Sequence, residues 1–124
     1  MMRPSSRMTA AAFGLSVAFT LWSAASEKKG EQLFNSMCTG CHALDSEKEG
    51  PRLRGVYGRA AGAVHGFPYA EGMKTSRFVW DETTLDRWLA DPESVVAGNN
   101  MAFRLENAEQ RADIIAYLKT LGRK

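Results

Sequence analysis

The chain has 124 residues, enough for one domain. Its 16 Lys+Arg exceed its 14 Asp+Glu by two, and Arg3 and Arg7 supply that whole excess, so residues 26–124 carry 14 charges of each sign and a net charge of 0. Such a balance argues against nucleic acid or an anionic membrane surface as the partner.

Arg3 and Arg7 form a basic start, and Thr9 to Trp22 is apolar or small and without charge. Ser23-Ala24-Ala25 puts small residues at the positions that decide cleavage. This is the pattern of a secretory signal peptide, with the cut expected after Ala25. A retained membrane anchor is the alternative. Thr9 to Ala25 is 17 residues long, the lower limit for crossing a bilayer, and its alanines and serines make it weakly hydrophobic. Residues 1–25 are therefore expected to be a signal peptide and residues 26–124 the exported domain.

Ser26 to Lys29 is polar and expected to fray. A helix is expected from about Gly30 to Cys38, with Leu33, Phe34 and Met37 as its apolar stripe. Gly30 costs such a helix up to ~1 kcal/mol against alanine. It either lets another helix cross over its bare backbone, with Phe34 filling the space beside the crossing, or simply precedes the helix.

Cys38-Thr39-Gly40-Cys41-His42 follows. Two cysteines three apart, with histidine directly after, read as the attachment site of a c-type haem. Positions i and i+3 share one face of a helical turn, so both thiols can reach one edge of a planar macrocycle and add to its vinyl groups. His42 can then offer an imidazole nitrogen to the iron. A redox-active dithiol would need a βαβ context, and no strand-like run precedes Cys38. Zinc would need four ligands, and the only other histidine, His65, lies far off in a Gly-rich stretch. A plain disulfide is the remaining alternative.

From Ala43 to Thr75 the pattern is neither helix nor strand, and six of the chain's eleven glycines lie there. A loop of that length is unusual in a compact domain, unless it wraps a large cofactor that supplies the missing core. Pro51 has no N–H, so its carbonyl is the group it offers. The imidazole N–H of His42 needs such an acceptor to fix its ring. Arg59, Tyr69 and Trp80 can donate hydrogen bonds to haem propionates. Each equally suits an ordinary surface or core role.

A helix is expected from Glu82 to Ala90, capped by Asp81, with Leu85, Trp88 and Leu89 inward and Pro92 as its stop. Residues 93–103 read as a loop. A last helix begins at Asn107, which with Gln110 resembles a capping box. Ile114, Ile115, Leu118 and Leu121 line one face, and Gly122 suits the position past its end. This helix is the natural partner for the Gly30–Phe34 segment, with Tyr117 at the crossing.

A second axial ligand separates a carrier from a catalyst. His42 alone would leave the iron open to oxygen or peroxide, whereas a thioether closes it and raises the potential. Met37 lies on the histidine side. Met101, in a short loop with Gly98 allowing a tight turn, is the favoured ligand, and Met73 is the alternative.

Taken together, the chain resembles the class I cytochromes c over residues 26–124. The resemblance rests on Gly30-x-x-x-Phe34, Cys38-Thr-Gly-Cys41-His42, Gly50-Pro51-x-Leu53-x-Gly55, Gly58-Arg59, Phe67-Pro-Tyr69, Trp80, Leu89-Ala-Asp-Pro92, Gly98-Asn-Asn-Met101-Ala-Phe103 and Ile115-Ala-Tyr117-Leu118. It implies an all-α cytochrome c fold around one haem c bound through Cys38 and Cys41. It also implies His42 and Met101 as metal ligands, Pro51 as acceptor for His42, and Tyr69 and Trp80 at the propionates. Two departures stand out. Ala97 replaces a proline common in relatives, and Trp88 replaces a tyrosine that mitochondrial relatives place near the methionine sulfur.

The expected function is one-electron transport in the periplasm by a monomer that meets separate donor and acceptor proteins. It would bind no nucleic acid and, once residues 1–25 are removed, would associate with no membrane strongly. No substrate would be altered, so the protein is not expected to be an enzyme. A haem peroxidase with an open iron, or an electron-entry subunit of a larger oxidoreductase, are the rival readings.

Overall fold

The computed structural model describes residues 2–6, 8 and 15–122. Of the expected signal segment, residues 1, 7 and 9–14 fall outside them. Five helices are present among the described residues: α1 (Leu15–Met37), α2 (Glu71–Lys74), α3 (Glu82–Ala90), α4 (Pro92–Val95) and α5 (Ala108–Thr120). No strand forms among these residues. The only sheet-like contact among the described residues is a single antiparallel bridge between Ala60 and Val79.

α1 starts well before Gly30. The helix formers Leu, Ala, Glu and Lys dominate residues 15–29 and no proline interrupts them, so the stretch expected to fray continues as helix. The expected cleavage point after Ala25 lies inside this helix. No helix among the described residues is long and apolar enough to cross a membrane.

α1 packs on α5, and α3 packs on both α4 and α5. Gly30 is buried at the first of these crossings. A Cβ there would overlap the Asp113 carbonyl and lie 2.8 Å from Tyr117 Cβ. One turn later the Phe34 ring meets the Tyr117 ring at 5.4 Å between centroids. Gly30 is thus a contact residue and not a residue preceding the helix.

α3 has the expected bounds. Asp81 Oδ1 accepts the Thr84 N–H at 2.8 Å, and Thr84 Oγ1 accepts the Asp81 N–H at 2.8 Å. Asn107 caps α5 through the Gln110 N–H at 3.0 Å. Beyond α5 no left-handed glycine cap forms. Gly122 is absent from the positive-φ glycines, and the Leu121 N–H closes the end on the Leu118 carbonyl at 3.1 Å.

Two single-turn helices, α2 and α4, lie in stretches read as loop. Pro92 begins α4, where its fixed φ suits the first helical position. Met73 is buried within α2 and belongs to the core, together with Trp80, Leu85, Trp88, Leu89, Val96, Leu105 and Ile114. Filling the core is the part this methionine plays in the fold.

Candidate functional site

α1 does not simply stop at Met37. The Cys38 N–H reaches the Phe34 carbonyl at 2.9 Å, and the Cys41 and His42 N–H groups return to the Cys38 carbonyl at 3.2 and 2.9 Å. The helix therefore passes directly into a hydrogen-bonded turn that carries Cys38, Cys41 and His42. Lys48 Nζ donates to the Thr39 carbonyl at 2.6 Å and braces the turn from outside.

Neither cysteine is in a disulfide; Cys38 is half-buried and Cys41 is exposed. Burial pushes the Cys38 thiol up to about 11. The Cys41 thiol is also raised, first by its hydrogen bond to Glu49 and then by that carboxylate's charge, with Lys48 opposing. Both groups are held as neutral thiols.

His42 Nδ1 lies 2.8 Å from the Pro51 carbonyl. A carbonyl only accepts, so Nδ1 carries the hydrogen and Nε2 keeps its lone pair. Burial lowers the pKa of the ring; the Pro51 bond opposes that shift and the charge of Lys48 adds to it. A neutral imidazole is the form able to bind a metal. Gly50 makes this geometry possible. A Cβ at Gly50 would sit 2.6 Å from His42 Nδ1 and 2.7 Å from Nε2. The loop doubles back to reach the ring, with the Gly50 N–H on the Cys41 carbonyl at 2.8 Å and the Leu53 N–H on the Ala43 carbonyl at 3.0 Å.

Arg59 donates from Nη1 to the Arg52 carbonyl at 2.9 Å and from Nη2 to the Arg54 carbonyl at 2.8 Å. It therefore clasps the chain just beyond Pro51. Its own carbonyl accepts the Trp80 N–H at 2.8 Å. The Trp80 ring stands edge-on to Phe78 at 4.9 Å and to Trp88 at 5.3 Å. Tyr69 accepts the Val64 N–H on its hydroxyl at 3.0 Å, which leaves the O–H free to donate elsewhere. Burial raises the pKa of that phenol, with the Val64 bond and the charges of Arg59 and Arg52 opposing.

Trp88 Nε1–H donates to Met101 Sδ at 3.1 Å. The indole has no oxygen, yet it supplies a donor to the sulfur. A connected scaffold thus runs from His42 and Pro51 through Arg59, Trp80 and Trp88 to Met101. Tyr69 stands beside it, packed edge-on against Phe67 at 4.8 Å. His65 is exposed and outside it. Two residues not singled out for this site also belong to it. Glu93 and Asn99 hold the turn before Met101, and acid and amide side chains flanking the Gly98 turn are the only sequence signal of that role.

Comparison with known proteins decides the family. The cytochrome c family profile, described as "Cytochrome c", matches residues 27–122. The chain belongs to the cytochrome c family. It is 47% identical over 88 residues to "Cytochrome c2 iso-2" of Magnetospirillum fulvum, covering 68% of this chain and 92% of that protein. To "Cytochrome c" of Chlamydomonas reinhardtii it is 40% identical over 95 residues, covering 73% and 85%. The solved structure of cytochrome cH from Methylobacterium extorquens superposes with a TM-score of 0.72 at 38% identity, over 76% of this chain and 97% of that one.

Cytochrome c proteins are small electron carriers that bind one haem c through a Cys-x-x-Cys-His motif, and this chain takes its haem through Cys38 and Cys41. The residues present fit that group. Two unjoined neutral thiols lie on one turn, a neutral imidazole keeps a lone pair on Nε2, and a thioether sulfur is held by a donor.

Proposed function

We propose that this cytochrome c carries single electrons between donor and acceptor proteins with His42 and Met101 as its axial ligands, and that it transforms no substrate. The observation that carries the reading is that both side chains are held in place by hydrogen bonds. His42 is locked by the Pro51 carbonyl at 2.8 Å and Met101 Sδ is engaged by Trp88 Nε1 at 3.1 Å. Haem, when bound, supplies an iron that exchanges one electron between ferric and ferrous states. The rest is done by the chain. His42 presents Nε2 because its other nitrogen is occupied, and no ring rotation need accompany a change in charge. Met101 supplies a soft sulfur, which favours ferrous iron and raises the potential. Met73 lies in the core instead. Arg59 holds the loop behind Pro51, and Tyr69 and Trp80 keep donors for the propionates.

On the same reading residues 1–25 are a signal peptide, residues 26–124 form the working domain in the periplasm, and the carrier is a monomer. The family match beginning at residue 27 supports that boundary.

The test is Met101→Ala in the haem-loaded protein. Haem should stay covalently bound while the sixth position opens to water or added ligands, and the potential should fall. A wild-type ferric spectrum in this variant would move the ligand elsewhere.

A further inference from the structure

The arm that carries Met101 has little regular structure to hold it. α4 ends at Val95 and α5 begins at Ala108. Among the described residues the main chain from 100 to 104 makes no backbone–backbone hydrogen bond. Side chains do the holding. Glu93 Oε1 accepts the Gly98 N–H at 2.8 Å, and Glu93 Oε2 accepts from Asn99 Nδ2 at 3.2 Å. Asn99 Nδ2 also donates to the Val96 carbonyl at 2.8 Å, and its Oδ1 accepts the Met101 N–H at 2.8 Å. Gly98 takes φ +75°, the left-handed turn that lets both its own N–H and the Asn99 side chain face the carboxylate.

We propose that Glu93 and Asn99 form a positioning clamp for Met101, which fixes the main chain under the sulfur and sets how readily another ligand displaces it. The proposal rests on Met101 being the second axial ligand. The bonds form a directed relay. Glu93 stands next to Pro92 at the start of α4, so its carboxylate is carried on a turn with one fixed torsion. That carboxylate takes both a main-chain and a side-chain donor from the same turn. Its bond to Asn99 Nδ2, with the Val96 carbonyl, uses both amide hydrogens, which leaves Oδ1 facing the Met101 N–H. Turning the amide over would set donor against donor at Met101. Trp88 then holds the sulfur from the other end. A glutamate kept only for solubility has no reason to face two donors of one turn.

Release of Met101 requires the turn to open, and opening breaks charge-assisted bonds. These are stronger than neutral ones. Loss of the carboxylate should therefore raise the population of the open state about tenfold, which corresponds to ~1.4 kcal/mol. An added ligand binds only the open state, so its apparent affinity rises by the same factor.

The experiment uses the haem-loaded ferric protein and imidazole as the added ligand. Glu93→Ala should bind imidazole about tenfold more tightly than wild type. Gly98 and Met101 amides should exchange hydrogen about tenfold faster, while the Leu118 amide in α5 is unchanged. Glu93→Gln keeps one neutral acceptor and should fall between the two. Wild-type affinity and exchange in Glu93→Ala would overturn the clamp. So would an equal acceleration at Leu118, because Glu93 would then merely support the fold. The near-infrared band of a ferric iron–thioether bond reports separately on the axial ligand. If that band survives Met101→Ala, the ligand assignment fails and amide exchange alone decides the clamp: faster exchange at Gly98 and Met101 sustains it, no change overturns it.

Discussion

Trp88 replaces an oxygen donor by a nitrogen donor at the proposed ligand sulfur, and the contact survives as an N–H···S bond of 3.1 Å. Donation withdraws electron density from the thioether, so the sulfur stabilises ferric iron less. Trp88→Phe keeps an aromatic ring in a buried position and removes only the donor. A hydrogen bond worth about 0.5–1.5 kcal/mol then corresponds to a fall in potential of about 20–60 mV for one electron. Potentiometric titration of both proteins checks this, and an unchanged potential would mean that the iron does not feel the contact. At this scale legibility depended on how local the chemistry is. The haem motif can be read because covalent attachment demands a fixed spacing, and Pro51 because proline offers only a carbonyl. Arg59 could not be placed. Its long side chain reaches the Arg52 and Arg54 carbonyls, and only the folded loop brings those within range. Glu93 was legible only as part of a loop, since its partners depend on a turn five residues on.

Among the elements, α3 and α5 were legible because their caps and apolar periods agree. Single-turn α2 and α4 are too short to show a period, and tertiary packing of Met73 and Val96 decides them. α1 was misjudged at its start because polar Ser26–Lys29 looked like a frayed end, although its residues favour helix. The close crossing at Gly30 gives the sharpest test at this scale. An added methyl would overlap the Asp113 carbonyl and press on Tyr117 Cβ, and backbone cannot step aside as a flexible side chain can. Overpacking of this kind costs typically ~1–3 kcal/mol, against a gain of up to ~1 kcal/mol in helix propensity. Gly30→Ala should therefore destabilise the haem-loaded protein by roughly 1–2 kcal/mol. Denaturant unfolding should show a lower midpoint at an unchanged slope. Equal or greater stability would mean that the helices separate freely at this crossing.

For the whole molecule the question is how a neutral carrier meets its partners. Mitochondrial relatives surround the exposed haem edge with lysines, whereas the matching positions here hold Met37, Glu93 and Asn100, all exposed. Residues 26–124 carry no net charge. Much of the charge is also cancelled locally. Arg52 pairs with Glu47, Arg54 with Asp45 and Arg111 with Asp86, each at 2.7 Å. Paired opposite charges produce a field that dies away quickly, so no long-range steering is expected. Short-range apolar contact can still hold a transient complex of small area. Electron transfer to the native acceptor should therefore vary little with ionic strength. Salt shortens the Debye length from ~30 Å at 0.01 M to ~8 Å at ~0.15 M, so a steered reaction would slow sharply over that range. Stopped-flow measurement of the bimolecular rate at both ends checks this. A fall of about tenfold or more would reveal an oriented charge patch hidden by the zero total, and docking would then have to be rebuilt around that patch.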